Sequence, residues 1–245
     1  MGYINAPKKV IAYVIQDSAE DYSEALNYLK TVKFDYLVVP TVETDEQTTA
    51  VVSYVKAQRA ANKLIKAVLP NTTGDNEGII NYATEEVMVN DKKYTTEQYC
   101  ARIAGIIAGT PLSISCTYAP LSELTDCKRL TKEEMDAAVD AGKFIVWWDG
   151  EKVKTARGVN SLTTLTDKKN KQFQKIKVVD VMDMIANDIR MTAEDSYIGK
   201  YPNKYDNKCL LISAISNYFD RLITDDVIQS YEIGIDVSAN RAYLK

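Results

Sequence analysis

The sequence of 245 residues contains no histidine. Histidine is the side chain that most often serves as a general base near neutral pH and as a metal ligand. Its absence excludes Ser-His-Asp and Cys-His arrangements, so hydrolytic chemistry would depend on carboxylates or on a cysteine without an imidazole partner. We therefore predict that the protein is not an enzyme.

Cysteine pairs and long apolar runs are also missing. The four cysteines, Cys100, Cys116, Cys127 and Cys209, include no Cys-x-x-Cys pair, which predicts reduced, buried thiols rather than a disulfide framework. No apolar run approaches the ~20 residues that span a membrane, and Met1–Pro7 lacks the basic and apolar regions of a secretion signal. We expect a soluble protein that is made in the cytoplasm and has no membrane partner.

Positive charge is in slight deficit, since 30 Lys and Arg against 34 Asp and Glu give a net charge of −4. Because non-specific nucleic-acid affinity comes mainly from neutralising phosphates, this balance argues against a nucleic-acid partner. The one dense group of lysines consists of Lys168, Lys169, Lys171, Lys175 and Lys177. Two interpretations of this group stay open, a solvated loop and a surface for an acidic partner.

The first seventy residues alternate between short apolar runs and amphipathic segments. The runs Val10–Ile15, Tyr36–Val39 and Ile65–Leu69 have the length of buried strands. The segments Glu20–Lys30 and Asp45–Asn62 have helical periodicity. Strands that alternate with helices through short links predict right-handed crossovers and a parallel sheet. The predicted fold class is therefore α/β, a doubly wound parallel or mixed sheet with flanking helices.

The loop Asn71–Gly78 leaves the third predicted strand, where open α/β sheets usually bind ligands. Its glycines, Gly74 and Gly78, favour either a plain turn or a ligand loop, although no Gly-Lys-Ser/Thr follows them. This loop supplies the alternative to a non-enzymatic role. In that alternative, the protein is an α/β nucleotide-binding or hydrolytic enzyme with its site at Gly74–Gly78.

Later segments carry local structural signals. Thr95 with Gln98 and Thr131 with Glu134 have the spacing of capping boxes that begin helices. The dipeptide Asp149-Gly150 between Phe144–Trp148 and Glu151–Arg157 predicts a β-hairpin with a type I′ turn. Further predicted elements are strands at Ile79–Tyr82, Val87–Val89, Phe173–Val179 and Glu232–Val237, a helix with Val181, Met182, Ile185 and Ile189 facing inward, and a second helix from Tyr205 with Leu211, Ile215, Tyr218 and Leu222 on one side.

Two carboxylates, Asp180 and Asp183, share one face of the helix that is predicted to follow Val179. Such a pair can bind a hard cation when further oxygen ligands are close by. No oxygen-ligand motif accompanies them in the sequence, so a solvated helix face is the favoured interpretation. No metal site is predicted.

Several short motifs occur in a fixed order along the chain. They are Ala104-Gly105, Ala108-Gly109-Thr110-Pro111, Tyr118-Ala119-Pro120-Leu121, Gly142-Lys143-Phe144-Ile145-Val146 and Ala156-Arg157-Gly158-Val159-Asn160-Ser161-Leu162. Their order and spacing resemble the contractile tail sheath proteins of bacteriophages and phage-like particles, in particular the Gram-positive prophage type. The resemblance extends over nearly the whole chain.

This resemblance implies a structural subunit that polymerises helically around an inner tail tube and contracts to drive the tube through a cell envelope. This mechanical role requires no cofactor. The implied partners are neighbouring sheath subunits, the tail tube protein, and the baseplate and tail terminator proteins. The implied location is a virion tail or phage-like particle assembled in the bacterial host cytoplasm. Sheath subunits carry terminal arms that add strands to their neighbours. We expect this chain to be the rigid body without those arms and to be monomeric in isolation.

The resemblance also implies a division of the chain. An α/β core domain is expected over residues 1–165, and a smaller α+β C-terminal domain over residues 166–245. A third interpretation treats the protein as a generic interaction module that binds through residues 168–177. Side chains expected to meet a neighbouring subunit or the tube are Arg157, Asn160, Lys168, Lys169, Lys171 and Lys175.

Overall fold

The computed structural model describes residues 6–16 and 19–236. The chain divides into two compact units, residues 1–180 and 181–245, which are taken separately below. The described α-helices are α1 Ser23–Leu29, α2 Thr48–Ala60, α3 Thr96–Gly109, α4 Lys132–Asp140, α5 Ile176–Ser196 and α6 Tyr205–Thr224. The described strands are β1 Tyr36–Val38, β2 Lys66–Pro70, β3 Ile79–Tyr82, β4 Val87–Val89, β5 Lys92–Tyr94, β6 Asp126–Cys127, β7 Lys143–Phe144, β8 Val146–Trp148 and β9 Val153–Thr155.

The first unit is built around a parallel sheet with the strand order β1-β2-β3-β7. Leu37 pairs with Ala67 across β1 and β2, and Tyr82 pairs with Phe144 across β3 and β7, in each case in parallel. A helix, α2, connects β1 to β2, as the alternating sequence pattern predicts. The predicted α/β class is confirmed.

Helices cover both faces of this sheet, because successive strand residues point to opposite sides. On one side, Ala67 and Leu69 of β2 pack in a core with Val51 and Val55 of α2. On the other side, Val68 packs in a second core that includes Ile103 and Ile106 of α3. All of these side chains are fully buried, and burial of each large one contributes roughly 1.5–3 kcal/mol. The doubly wound arrangement follows from this alternation.

The predicted N-terminal strand Val10–Ile15 is wrong, since these residues have no regular secondary structure. Val10 and Val14 are 81% and 86% exposed. Tyr13 instead contacts α1, where its hydroxyl donates to Glu24 at 3.3 Å. An apolar run supplies the side chains of a buried strand but not the neighbouring backbone that a strand must pair with.

The predicted strand Phe144–Trp148 is divided between two sheets. Its start, β7, joins the parallel sheet, whereas β8 forms an antiparallel hairpin with β9 in which Trp148 pairs with Val153.

The predicted type I′ turn at Asp149-Gly150 is also wrong. Gly150 has a positive φ of 107°, but Asp149 does not, and its carboxylate accepts hydrogen bonds from the backbone N–H groups of Glu151 and Lys152 at 3.0 and 2.9 Å. The side-chain acceptor of Asp149 stabilises a longer connection.

Both capping boxes are confirmed. The Thr95 hydroxyl accepts the Gln98 N–H at 3.4 Å, and the Gln98 side chain accepts the Thr95 N–H at 3.1 Å, at the start of α3. Thr131 and Glu134 make the same pair of bonds at the start of α4. A third antiparallel group, with the order β5-β4-β6, completes the first unit.

The predicted strand Phe173–Val179 is wrong, because a short 3-10 helix, Lys171–Gln174, leads directly into α5. Ile176 and Val179 are each 2% exposed and lie three residues apart, which is the spacing of one helix face. A run of apolar residues this short fits either element, and tertiary packing decided for the helix.

In the second unit, the regular structure of residues 181–236 is helical. The Tyr218 hydroxyl of α6 donates to Asp188 of α5 at 2.8 Å, and Phe219 stacks on Tyr231 with ring centroids 4.9 Å apart. Met182, which was predicted to face inward, is 44% exposed. The predicted strand Glu232–Val237 has no regular structure through residue 236, and Val237 lies outside the described residues. Within the described ranges, no helix has both the length and the apolar character of a membrane span.

Candidate functional site

The loop Gly74–Gly78 does not lie at the carboxyl edge of the sheet, so this prediction is wrong. Strands β2 and β3 are parallel neighbours, with Pro70 opposite Tyr82 at one end and Ala67 opposite Ile79 at the other. Residues 71–78 must therefore run back along the sheet before β3 begins. The Ala67 N–H donates to the Gly78 carbonyl at 2.8 Å, which fixes the end of the loop beside the amino ends of the strands.

The loop is also bonded to a later segment of the chain, residues 161–164. One carboxylate oxygen of Asp75 accepts the backbone N–H groups of Thr163 and Thr164 at 2.8 and 2.9 Å. The Ser161 hydroxyl donates to the Asn76 carbonyl at 3.1 Å. Hydrogen bonds from Thr164 and Thr163 hold the pKa of Asp75 well below its ordinary value of 3.8. The carboxylate of Asp75 is thus held within the predicted ligand loop by hydrogen bonds from residues 163 and 164.

Gly78 packs against Arg59, so closely that a Cβ at Gly78 would lie 2.3 Å from the Arg59 Cδ. The neighbouring Glu77 is 8% exposed and accepts Arg59 at 3.4 Å and Lys169 at 2.7 Å. Burial raises the pKa of Glu77, but the hydrogen bond from Lys169 and the charge of Arg59 outweigh it and hold the pKa below its usual range. Lys169, a predicted interface residue, is therefore engaged in an ion pair within the subunit.

Asn160, another predicted interface residue, is 1% exposed. Its amide donates to the Phe173 carbonyl at 2.7 Å and accepts the Leu162 N–H at 3.0 Å. It joins two segments of the chain, since Val159 also bridges to Lys175 in antiparallel fashion. This bridge brings Arg157 and Lys175 onto adjacent stretches of backbone.

The remaining predicted interface residues lie at the surface. Arg157, Lys168, Lys171 and Lys175 are all exposed. Their contact with a neighbouring subunit or with a tube stays a prediction. The structure thus separates the six residues into four surface cations and two that hold the subunit together.

The loop next to the Arg157 segment carries a tyrosine that sequence reasoning did not single out as a site residue. Tyr118 is 55% exposed although it has a φ of +58°, a backbone conformation that bulky residues seldom adopt. Its ring meets Trp147 edge-on, with centroids 6.3 Å apart. The Gly158 N–H donates to the Thr117 hydroxyl at 3.0 Å, which holds this loop against the Arg157 segment. The one sequence signal that pointed to Tyr118 is its place in the motif Tyr118-Ala119-Pro120-Leu121.

The favoured interpretation of Asp180 and Asp183 as a solvated helix face is wrong. Asp183 is 6% exposed. The Asp180 carboxylate pairs with the Lys66 ammonium at 3.0 Å and accepts the Tyr36 hydroxyl at 2.5 Å. The charge that neutralises Asp180 therefore comes from β2, far away in sequence. Within the described ranges, no group of three or more Cys, Asp and Glu side chains is placed to hold a metal ion.

The thiols and clefts of the described residues offer little for nucleophilic chemistry. Cys100, Cys116 and Cys127 are buried, and burial raises the pKa of Cys116 to about 12. A surface cleft of about 270 Å³ lies beside β4. Two of its lysines, Lys93 and Lys128, are ion-paired with the glutamates Glu86 and Glu85 of the same cleft. The geometry therefore defines the class of protein as an α/β scaffold. Its candidate ligand loop is bonded to residues 161–164 of the same chain.

Comparison with known families then places the chain within that class. It matches the family model described as phage tail sheath protein central domain over residues 16–161, and the model described as phage tail sheath C-terminal domain over residues 168–245. The chain belongs to the phage tail sheath protein family. The resemblance found in its motifs is confirmed, and the enzyme alternative is not supported.

Individual relatives agree with this assignment. A tail sheath protein of Clostridium phage phiCD119 is 40% identical over 240 residues, which cover 98% of this chain and 67% of that protein. The crystal structure of the sheath tail protein from Desulfitobacterium hafniense has a TM-score of 0.79 at 29% identity, over 86% of this chain and 50% of that one. The helical sheath of the anti-feeding prophage in its contracted state is similar in fold alone, with a TM-score of 0.65 at 14% identity over 91% of this chain and 63% of that one.

Proposed function

We propose that the protein is a structural subunit of a contractile tail sheath, which polymerises helically around an inner tail tube and contracts to drive the tube through a cell envelope. The observation that carries this proposal is the match to both sheath domains in sequence order, at residues 16–161 and 168–245. The chain spans 67% of the phiCD119 protein and half of the Desulfitobacterium chain. The activity of the whole protein is therefore part of the proposal.

The packing of the first unit supports a mechanical role. Its parallel sheet is covered by helices on both faces, and its loop at Gly74–Gly78 is tied down by Asp75, Asn76 and Glu77. Close-packed cores have low compressibility and transmit force rather than absorb it. In this proposal the subunit moves as a rigid body during contraction, and the free energy of contraction is stored in contacts between subunits.

We further propose that the protein catalyses no reaction and needs no cofactor. Its proposed partners are neighbouring sheath subunits, the tail tube, and the baseplate and terminator proteins of a virion tail or phage-like particle. Assembly is proposed to take place in the cytoplasm of the bacterial host. The division into domains at residue 165 is likewise proposed.

Electron microscopy of the protein expressed from its full natural reading frame tests the sheath proposal. The expected result is hollow tubes with a helical lattice, formed without any added nucleotide. Persistent monomers or small closed rings over a wide range of protein concentration and salt would contradict it.

A thermal-shift screen with ATP and GTP tests the absence of a nucleotide site. A ligand at 100 times its dissociation constant stabilises a protein by about 2.7 kcal/mol. We expect no shift with either nucleotide. A saturable shift that disappears in the Gly78→Ala variant would contradict the proposal.

A further inference from the structure

An exposed group of side chains surrounds the loop that carries Tyr118. We call this group the basic-aromatic patch and define it as Tyr118, Arg157 and Lys175. The bond from the Gly158 N–H to the Thr117 hydroxyl and the bridge between Val159 and Lys175 hold its members on adjoining backbone. Arg157 and Lys175 have no salt-bridge partner among the described residues. Two exposed cations and an exposed aromatic ring are thus carried on adjoining backbone segments.

The backbone of Tyr118 gives an independent reason to regard the patch as a contact surface. A tyrosine with a φ of +58° is strained, whereas glycine adopts this conformation readily. Strained residues concentrate at functional sites, where the strain serves the function. Here the strained residue carries a large aromatic ring that is 55% exposed, on a loop that is bonded to the segment containing Arg157. Tyrosine and arginine are the residue types that most often dominate binding energy at protein interfaces.

A surface of opposite charge lies on α4. We call it the acidic α4 face and define it as Glu133, Asp136 and Asp140. Spacings of three, four and seven residues put these carboxylates on one side of the helix, and all are exposed. In the described part of the chain none of them has a salt-bridge partner. The helix has no buried residue.

The C-terminal part of this acidic face, Asp136 and Asp140, is unfavourable for the isolated subunit. Like charges one turn apart repel each other along a helix. Asp140 is the last residue of α4, where the negative end of the helix dipole also repels a carboxylate. Glu133 lies in the first turn, where the dipole favours a carboxylate, so the repulsion falls on Asp136 and Asp140. A cationic surface that covers these two residues relieves it.

We propose that the basic-aromatic patch of one copy of the protein docks on the acidic α4 face of the next copy. This inference rests on the proposed sheath function, because a contact between two different surfaces of the same chain propagates into an open helical array. A second copy is the occupant because the chain itself supplies both charges. Exposed charges interact over about 8 Å at physiological ionic strength, so the contact is also expected to weaken as salt rises.

Charge reversal on each side gives two variants that test the contact. The first is Arg157→Glu with Lys175→Glu, and the second is Asp136→Lys with Asp140→Lys, whose new cations suit the C-terminal end of α4. Since like charges face each other in either homopolymer, we expect the critical concentration for tube formation to rise at least about tenfold for each variant alone. An equal mixture has opposite charges at every contact when the two variants alternate, so we expect it to form tubes at nearly the wild-type concentration.

Matched controls and a second measurement separate docking from folding. Lys56→Glu and Glu151→Lys reverse exposed charges elsewhere and are expected to leave tube formation unchanged. Tyr118→Gly removes the strained side chain, so its melting temperature should be unchanged or higher while its critical concentration rises.

The outcomes distinguish this inference from the proposed function. Tubes from both charge-reversed variants on their own, or a folded mixture that forms none, would overturn the docking contact while the sheath function stands. Closed pairs in place of tubes in the mixture would also overturn it. Failure of the wild-type protein to polymerise would overturn the sheath function and this inference with it.

Discussion

Replacing Asp180 with alanine is expected to destabilise the first unit by about 3–5 kcal/mol, because the Lys66 ammonium then stays buried without this carboxylate. The two charged atoms are 3.0 Å apart, and their side chains are 5% and 14% exposed for Lys66 and Asp180. The Tyr36 hydroxyl, which donates to Asp180 at 2.5 Å, loses this hydrogen bond in the same variant. The loss therefore falls on two neighbouring strands of the sheet.

The size of the effect follows from the geometry. Two unit charges at this separation attract each other by roughly 5 kcal/mol at an effective dielectric constant of about 20. Removing both ions from water costs several kcal/mol each, so the intact pair adds little net stability. Lys66→Met combined with Asp180→Leu removes both costs together. We expect this double variant to lie within about 2 kcal/mol of the wild type, with most of the loss at the Tyr36 hydrogen bond.

Urea unfolding followed by tryptophan fluorescence measures the change in unfolding free energy of the first structural unit. The chain has 2 tryptophans, Trp147 and Trp148, and both lie in the first unit. Asp167→Ala, which removes an exposed carboxylate from the same unit, is the control and should change the midpoint little. A loss of unfolding free energy below about 1 kcal/mol for Asp180→Ala would refute the reasoning. So would a double variant whose loss equals the sum of the losses measured for Lys66→Met and Asp180→Leu separately.

Further predictions concern the loop, a helix cap and the thiols. Asp75→Ala should lower the free energy of unfolding at pH 7 by about 1 kcal/mol, allowing for solvent screening, because the Thr163 and Thr164 N–H groups lose their acceptor. The folded pKa of Asp75 lies below 3.8, so its contribution is present above about pH 4 and is lost as the pH falls further; urea midpoints that differ equally at pH 7 and pH 3 would contradict this. Thr95→Ala should cost about 1 kcal/mol through its capping box, and an unchanged melting temperature would count against that role. Iodoacetamide should modify the half-buried Cys209 before the three buried cysteines, which mass spectrometry of the native protein can check.

Local interactions were the part of the fold that the sequence predicted best. A capping box joins residues three apart, so Thr95 with Gln98 specifies a helix start wherever the chain lies. The alternation of β1, α2 and β2 is likewise encoded in short periodic segments. Family membership could be predicted because its motifs are spread over the chain in a fixed order, so that their combination is informative even though each motif alone is weak.

Three predictions that depended on a distant partner were wrong. Val10–Ile15 has the composition of a buried strand, yet no backbone ladder forms on it in the described chain. Phe144–Trp148 is one apolar run, but its two ends pair with different strands. Asp180 is predicted on a solvated helix face because no oxygen-ligand motif accompanies it in the sequence, whereas the structure pairs it with Lys66 of β2.

The interpretation of the Gly74–Gly78 loop and of the predicted interface residues also changed because distant partners meet in the structure. Sequence reasoning found the residues of the Gly74–Gly78 loop and of the segment 157–175, but treated them as separate features. Tertiary structure joined them, since Thr163 and Thr164 bond to Asp75, and Lys169 pairs with Glu77. It also showed that Asn160 is internal and that the loop carrying Tyr118 is bonded to the segment containing Arg157.

The sequence by itself determined the helix caps, the order of most elements, the α/β class and the family, because each depends on residues close together or on motifs in a fixed order. Only the tertiary structure decided the strand partners, the occupant of the glycine loop and the charges that remain exposed. Those features arise when the packed chain brings together residues that are distant in sequence, and no local pattern records which groups will meet.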